Sequence, residues 1–222
     1  MPAAPLPGLR AIVSPDWANQ LRDADVVVLL LHGYGADERD LVGLVEPLGI
    51  RAPWASLRAP LALAGMSGAA WFPIGQLDEL RAAPAESATA QIWDWVDAEL
   101  PERAQVLPIG FSQGGLMATQ LLRTRPDRVV APVVLAGLVL TAPQPADSSL
   151  ATARPPAFWG RGDLDAVIPA HAVAAAADFL ASHSTLTERV YAGLGHQISM
   201  TELADAAEFI REHTGENVIR YA

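Results

Sequence analysis

The stretch Gly110-Phe111-Ser112-Gln113-Gly114-Gly115 limits what this chain can fold into more than any other. It contains G-x-S-x-G, with Gly110, Ser112 and Gly114 at the fixed positions. Ala104 to Ile109, just before it, are mostly apolar and suit a short buried strand. Leu116 to Arg123, just after it, are good helix formers with apolar positions at Leu116, Ala118, Leu121 and Leu122. Strand, sharp turn and helix turn the pattern into a nucleophile elbow, where a serine hydroxyl projects above a sheet from strained backbone. Glycines flank the serine because larger side chains would clash there. The first N–H groups of the helix point at the same spot and favour developing negative charge. The plainer reading is a glycine-rich strand–helix turn with an ordinary serine. Pro108 counts against a central strand, because proline lacks a ladder N–H, so it is expected at a bulge or a strand end.

The rest of the chain alternates in kind. Ala11–Val13 reads as a short edge strand, and Val26–Leu31 as a strand buried on both faces. Asp37 or Asp40 is placed to cap a helix running through Leu44. Ala55–Arg58 is a candidate strand, and Leu61 to Gly75 an ordered loop with two large aromatics, Trp71 and Phe72. Loop aromatics anchor their own loop more often than they touch a ligand. Glu86 to Leu100 reads as a sheet-covering helix with Ile92, Trp93, Val96 and Leu100 on one face. Val129 to Leu138 is a buried strand, in two pieces if Pro132 breaks it, and Thr141 to Pro156 a surface connection. Strands at Ala157–Gly160 and Glu188–Tyr191 and helices over Ala170–Leu180 and about Thr201–Glu212 complete the chain. This order implies an α/β fold, a mostly parallel sheet with helices on both faces and right-handed crossovers. Ligands in such folds lie beyond the carboxyl ends of the strands. His32, Ser112, Asp165 and His196 all follow strand ends.

A serine hydroxyl is a poor nucleophile without an adjacent base. Of five histidines, His171, His183 and His213 lie in or beside expected helices among polar neighbours and read as surface. His196 follows Gly195 late in the chain and completes the order Ser…Asp…His of this elbow type. His32 is expected to fix its own loop by hydrogen bonding. The acid that orients the imidazole is Asp163 or Asp165, both on the loop after the penultimate strand; the bland role for either is helix capping before Pro169. An oxyanion hole needs two backbone donors. The N–H of Gln113 follows the nucleophile, and the N–H of Tyr34, inside Gly33-Tyr34-Gly35, lies on the loop after the first buried strand.

These blocks together are specific. Leu31-His32-Gly33-Tyr34-Gly35, Gly110-Phe111-Ser112-Gln113-Gly114-Gly115, Asp165-Ala166-Val167-Ile168-Pro169 and Gly195-His196 resemble the four signature blocks of the phospholipase/carboxylesterase family of α/β-hydrolases. The resemblance covers roughly residues 24–212 and takes in the acyl-protein thioesterases and small bacterial carboxylesterases. It implies the α/β-hydrolase fold, Ser112 as nucleophile, His196 as base, and Tyr34 and Gln113 N–H groups as oxyanion donors. The family's spacing to Pro169 selects Asp165 as the acid. Val167 and Ile168 are then expected to wall Asp165 off from water, and Asp163 to be wetter. Trp71-Phe72 resembles the family's block near the acyl site, which makes both candidate substrate contacts. Two positions depart from the family pattern: Pro73 stands where an aspartate is common, and Arg161 where the acid-loop motif has histidine.

The implied function is cleavage of carboxylic esters through an acyl-enzyme, with thioesterase or lysophospholipase activity as variants of the same chemistry. The competing class is a non-catalytic ligand-binding protein on the same fold. Composition narrows the partners. A formal net charge of −10 and a pI near 4.8 speak against nucleic acid and anionic membrane surfaces. With no cysteine, a disulfide framework and a thiolate nucleophile are excluded. The histidines show no metal-ligand spacing, so neither metal nor cofactor is expected. The longest apolar run, Val129 to Leu140, is broken by Pro132 and too short to span a bilayer. The N-terminus lacks a basic n-region and an apolar h-region. A single domain over residues 1–222 with residues 1–10 loose, a cytoplasmic location and a small-molecule ester substrate follow as expectations; the oligomeric state stays open, a homodimer included.

Overall fold

The computed structural model describes residues 9–74, 82–215 and 217–219. Most of the expectation for residues 1–10 therefore lies outside the described residues. The chain runs β1 (Ala11–Val13), α1 (Trp17–Gln20), β2 (Val26–Leu31), β3 (Trp54–Leu57), β4 (Leu61–Ala62), β5 (Ala69–Ala70), α2 (Ala82–Glu99), β6 (Gln105–Phe111), α3 (Gln113–Thr124), β7 (Val133–Leu135), α4 (Asp147–Ala153), β8 (Pro156–Gly162), α5 (Ala170–His183), β9 (Thr185–Tyr191) and α6 (Met200–Thr214). Seven strands form one sheet in the order β1-β3-β2-β6-β7-β8-β9, and β4 pairs with β5 separately. Every pair in the large sheet is parallel except β1 with β3.

The alternation of apolar residues along β2 builds both faces of the core. Val27, Leu29 and Leu31 face α2 and α3, joining Ile92, Trp93, Val96, Leu116 and Leu121. Val28 and Leu30 face the other way and pack with Leu203, Phe209 and Ile210 of α6. A third cluster sets α5, through Ala176 and Leu180, against Val134 and Trp159. A strand covered on both faces must be apolar throughout, and β2 is.

Three local expectations are corrected. Pro108 sits within β6, paired with Leu29, not at a bulge or strand end. Val106 O accepts from Val130 N–H, so alternate residues 106 and 108 turn their polar groups toward the β7 side. The β7 ladder starts only at Ile109↔Val133; the missing proline N–H falls in the gap before it. The helix expected to run through Leu44 is only a 3-10 turn at Val42–Leu44 without a side-chain cap. Asp37 Oδ1 instead accepts from Arg39 N–H at 2.9 Å, closing a local turn that competes with a helix. The connection expected over Thr141 to Pro156 contains α4, tied down where Asp147 pairs with the buried Arg123 at 2.7 Å. Arg123 also donates to Leu140 O and Ala142 O.

Candidate active site

β6 ends and α3 begins within one residue. Ser112 occupies that turn at φ 54°, ψ −115°, a backbone conformation that L-residues avoid. Only glycine fits two positions away on either side. A Cβ on Gly110 would lie 2.0 Å from Gly114 O, and one on Gly114 would lie 1.9 Å from Leu31 O. Ser112 N–H donates to Leu135 O at 2.9 Å, pinning the turn to the end of β7.

Two loops bring the partners. His196 Nε2 lies 2.9 Å from Ser112 Oγ, and His196 Nδ1 lies 2.7 Å from Asp165 Oδ2. Phe111 packs its ring on the imidazole, centroids 5.0 Å apart. The second carboxylate oxygen, Asp165 Oδ1, accepts from Val167 N–H at 2.9 Å and Ile168 N–H at 3.2 Å. The Asp165 side chain is 6% exposed. The expected shielding needs correction in one detail. Ile168 is buried but Val167 is 52% exposed, so Val167 serves through its backbone N–H. Asp163 is exposed and its Oδ1 accepts from Gly193 N–H at 2.7 Å, stitching the acid loop to the turn before His196.

The two backbone donors are open. Gly115 N–H and Leu116 N–H return to Ser112 O, while Gln113 N–H has no partner among the described residues. On the loop after β2, Gly35 N–H goes to Ala69 O and Ala36 N–H to Gly33 O; Tyr34 N–H has none among the described residues. His32 behaves as a fastener. Its Nε2 accepts from Ala59 N–H at 3.1 Å, so Nδ1 carries the proton and donates to Gly33 O at 2.7 Å. Burial holds His32 below the ordinary imidazole range, which favours this neutral tautomer.

Trp71 and Phe72 turn into the core, 2% and 3% exposed. They anchor their loop: Trp71 N–H donates to Gln113 Oε1, Trp71 Nε1–H to His32 O, and Gln113 Nε2–H to Phe72 O. Arg161, at the family's histidine position, stacks over Trp159 and pairs with Glu188 at 3.0 Å. Among the described residues no group of three or more His, Asp or Glu is placed to hold a metal ion, and no helix is long and apolar enough to cross a membrane.

Sequence reasoning passed over Glu202. Ser199-x-x-Glu202 is a capping box at the start of α6, with Glu202 N–H on Ser199 Oγ and Ser199 N–H on Glu202 Oε2. The spacing was legible; its burial was not. Glu202 is fully buried, and its Oε1 has no partner among the described residues. It presses on Gly160, where a Cβ would meet Oε1 at 2.3 Å. Burial, reinforced by the Asp205 carboxylate, pushes the Glu202 carboxyl up to about 7.

A sequence model of the phospholipase/carboxylesterase family matches residues 12–214. The chain belongs to that family. As a member of it, the chain is a hydrolase of esters. A rice (Oryza sativa subsp. japonica) protein called a probable carboxylesterase is 27% identical over 95% of this chain and 86% of its own length. The crystal structure of esterase PE8 superimposes with a TM-score of 0.73 at 27% identity, covering 93% of this chain and 99% of that one. Zea mays acyl-protein thioesterase 2 superimposes with a TM-score of 0.72 at 19% identity, covering 92% of this chain and 98% of that one, a likeness of fold. The central sheet with its flanking helices is the α/β-hydrolase fold that this family carries.

Proposed function

We propose that the chain cleaves carboxylic esters, thioesters included, through an acyl-enzyme on Ser112. The observation that carries this is the continuous contact from Ser112 Oγ to His196 Nε2 and from His196 Nδ1 to Asp165 Oδ2. Ser112 Oγ attacks the acyl carbonyl carbon as its proton passes to His196 Nε2. The carbonyl oxygen gains the negative charge and takes hydrogen bonds from Gln113 N–H and Tyr34 N–H. Asp165 holds the imidazole in the Nδ1–H tautomer and stabilises its charged form. The protonated His196 then gives its proton to the departing alkoxide or thiolate, and the tetrahedral species collapses to the acyl-enzyme. Water, deprotonated by His196, attacks the ester, and Ser112 leaves with its proton restored. No step calls for a cofactor.

The strained Ser112 backbone and the two open N–H groups support the same reading. Large apolar side chains stand exposed on loops, namely Tyr34, Met66, Leu164 and Val167, with Met200 at the start of α6. They favour an acyl group carried near the surface over one swallowed by a deep tunnel. The names of the rice, PE8 and maize proteins support esters and acyl thioesters as the substrates to try first.

The test is labelling with a fluorophosphonate probe together with a chain-length series of p-nitrophenyl esters run beside an acyl thioester. Ser112→Ala is expected to stay folded, refuse the probe and lose on the order of 10⁴-fold or more in kcat. Near wild-type turnover in that variant would end the proposal.

A further inference from the structure

The proposed chemistry needs two N–H groups at a set separation, and they sit on segments far apart in the chain. Gln113 N–H opens α3, and Tyr34 N–H lies on the loop after β2. A third segment, Ala69–Phe72, is bonded to both. Toward the Tyr34 loop, Gly35 N–H donates to Ala69 O at 2.9 Å and Ala69 N–H donates to Ala36 O at 2.8 Å. Toward the elbow, Trp71 N–H donates to Gln113 Oε1 at 2.8 Å and Gln113 Nε2–H donates to Phe72 O at 2.8 Å. The Trp71 indole then crosses back, donating to His32 O at 2.9 Å. Ala69, Trp71, Phe72, Gln113 and His32 are all buried, so water offers no substitute for these bonds. The direct contact between the two segments, Gly114 against the Leu31 and His32 carbonyls, sets the floor of the gap but not its opening.

We propose that Ala69–Phe72 is a splint that sets the separation of the two oxyanion donors, with Trp71 and the Gln113 side chain as positioning residues for acyl transfer. The inference rests on the acyl-enzyme reading above. It gives Gln113 a second duty besides its backbone N–H. A carboxamide presents one acceptor and one donor to adjacent backbone groups, as a neighbouring strand would. A carboxylate has no donor for Phe72 O, and an aliphatic side chain satisfies neither group. It also explains why an indole stands at Trp71. Apolar bulk alone would fill the core there, but only a ring N–H reaches the carbonyl at the root of the Gly33–Gly35 loop.

Two variants test this. Trp71→Phe keeps the buried ring and removes the indole donor; Gln113→Glu keeps the shape and removes the amide donor. Rates are taken per active site, counted by fluorophosphonate titration, so a misfolded fraction drops out. Because donors misplaced by about 1 Å cost up to about 100-fold, kcat is expected to fall about 10- to 100-fold with KM within about twofold of wild type. The inhibition constant of a trifluoromethyl ketone, whose adduct places an oxyanion on the same donors, should rise by the same factor as kcat/KM falls. The pH profile should keep its wild-type shape, since the contacts of His196 are untouched. Wild-type kcat/KM and wild-type ketone affinity per active site in Trp71→Phe would overturn the splint. So would a rise confined to KM. Ser112→Ala in the same assay separates the failures: an active Ser112→Ala refutes the acyl-enzyme, whereas a dead one beside an unimpaired Trp71→Phe refutes the splint alone.

Discussion

Ser112 and Asp165 are held in place by different means. The elbow is fixed by backbone pressed on backbone: Gly110 against Gly114, Gly114 against Leu31, with no side-chain cap at the start of α3. The acid loop has backbone bonds too, Asp163 N–H to Tyr191 O and Leu164 N–H to Leu194 O, and adds side-chain oxygens on backbone N–H groups, Asp165 on Val167 and Ile168 and Asp163 on Gly193. Two of its apolar side chains meanwhile stand in solvent, Leu164 at 65% and Val167 at 52% exposure. Past Gly162, where a Cβ would lie 1.9 Å from Leu194 O, the acid loop is the half sensitive to lost polarity, and the elbow is the half intolerant of added volume. The difference matches the tasks proposed for them. A nucleophile in strained backbone needs walls that cannot move, whereas an acid needs a fixed direction for one hydrogen bond.

The largest effect expected from this contrast lies in the acid loop. Asp165→Asn keeps the shape and is expected to cut kcat by about 10⁴-fold by favouring the wrong imidazole tautomer. Asp163→Asn, two positions away on the same loop, should cost less than about tenfold, or about 1.4 kcal/mol. Steady-state kinetics on one ester decides between them, and a crippled Asp163→Asn beside a healthy Asp165→Asn would reverse the assignment. Next comes volume in the elbow. Gly114→Ala should destabilise the fold by about 3 kcal/mol or more, while Val167→Ala stays within about 0.5 kcal/mol. Equal urea midpoints for the two would erase the contrast.

The smallest effect concerns Glu202, packed against Gly160 of β8. Glu202 has its folded value raised from 4.5 to about 7. Between those values the native state holds the proton more tightly than the unfolded chain. Stability is thus whole below about pH 4.5 and falls as pH rises toward about 7. Glu202→Gln carries no such charge, so its melting temperature relative to wild type should climb from pH 5 to pH 8, by up to about 3 kcal/mol equivalent. A difference that does not change with pH would show that Glu202 ionises freely where it lies.

What could be read from the sequence, and what could not, divides along physical lines. β2, β6 and α3 were legible because burial on both faces or along one stripe writes itself into apolar spacing. The loops that carry Ser112, Asp165 and His196 were legible because a strand end followed by glycine is a local signal. α4 was not, since its Asp147–Ala153 run of small residues has little intrinsic drive and depends on Arg123, remote in sequence. The first residues of β9 were missed because they form a sheet-edge strand, half exposed and polar. The inward turn of Trp71 and Phe72 was legible only as the common habit of loop aromatics, without its partners. It depends on an amide at Gln113 and a carbonyl at His32, and no spacing within the loop reports either partner.

The positive φ of Ser112 has a consequence for descent. A side chain held in that region costs of order 1–3 kcal/mol relative to relaxed backbone. Alanine inherits the cost, because it too has a Cβ; glycine escapes it. Copies of this gene released from selection for turnover would therefore find a downhill path to greater stability at Ser112→Gly, one substitution from a working hydrolase. Relatives that keep the fold and have lost the serine are the descendants such a path would leave, and glycine is the residue to look for in them.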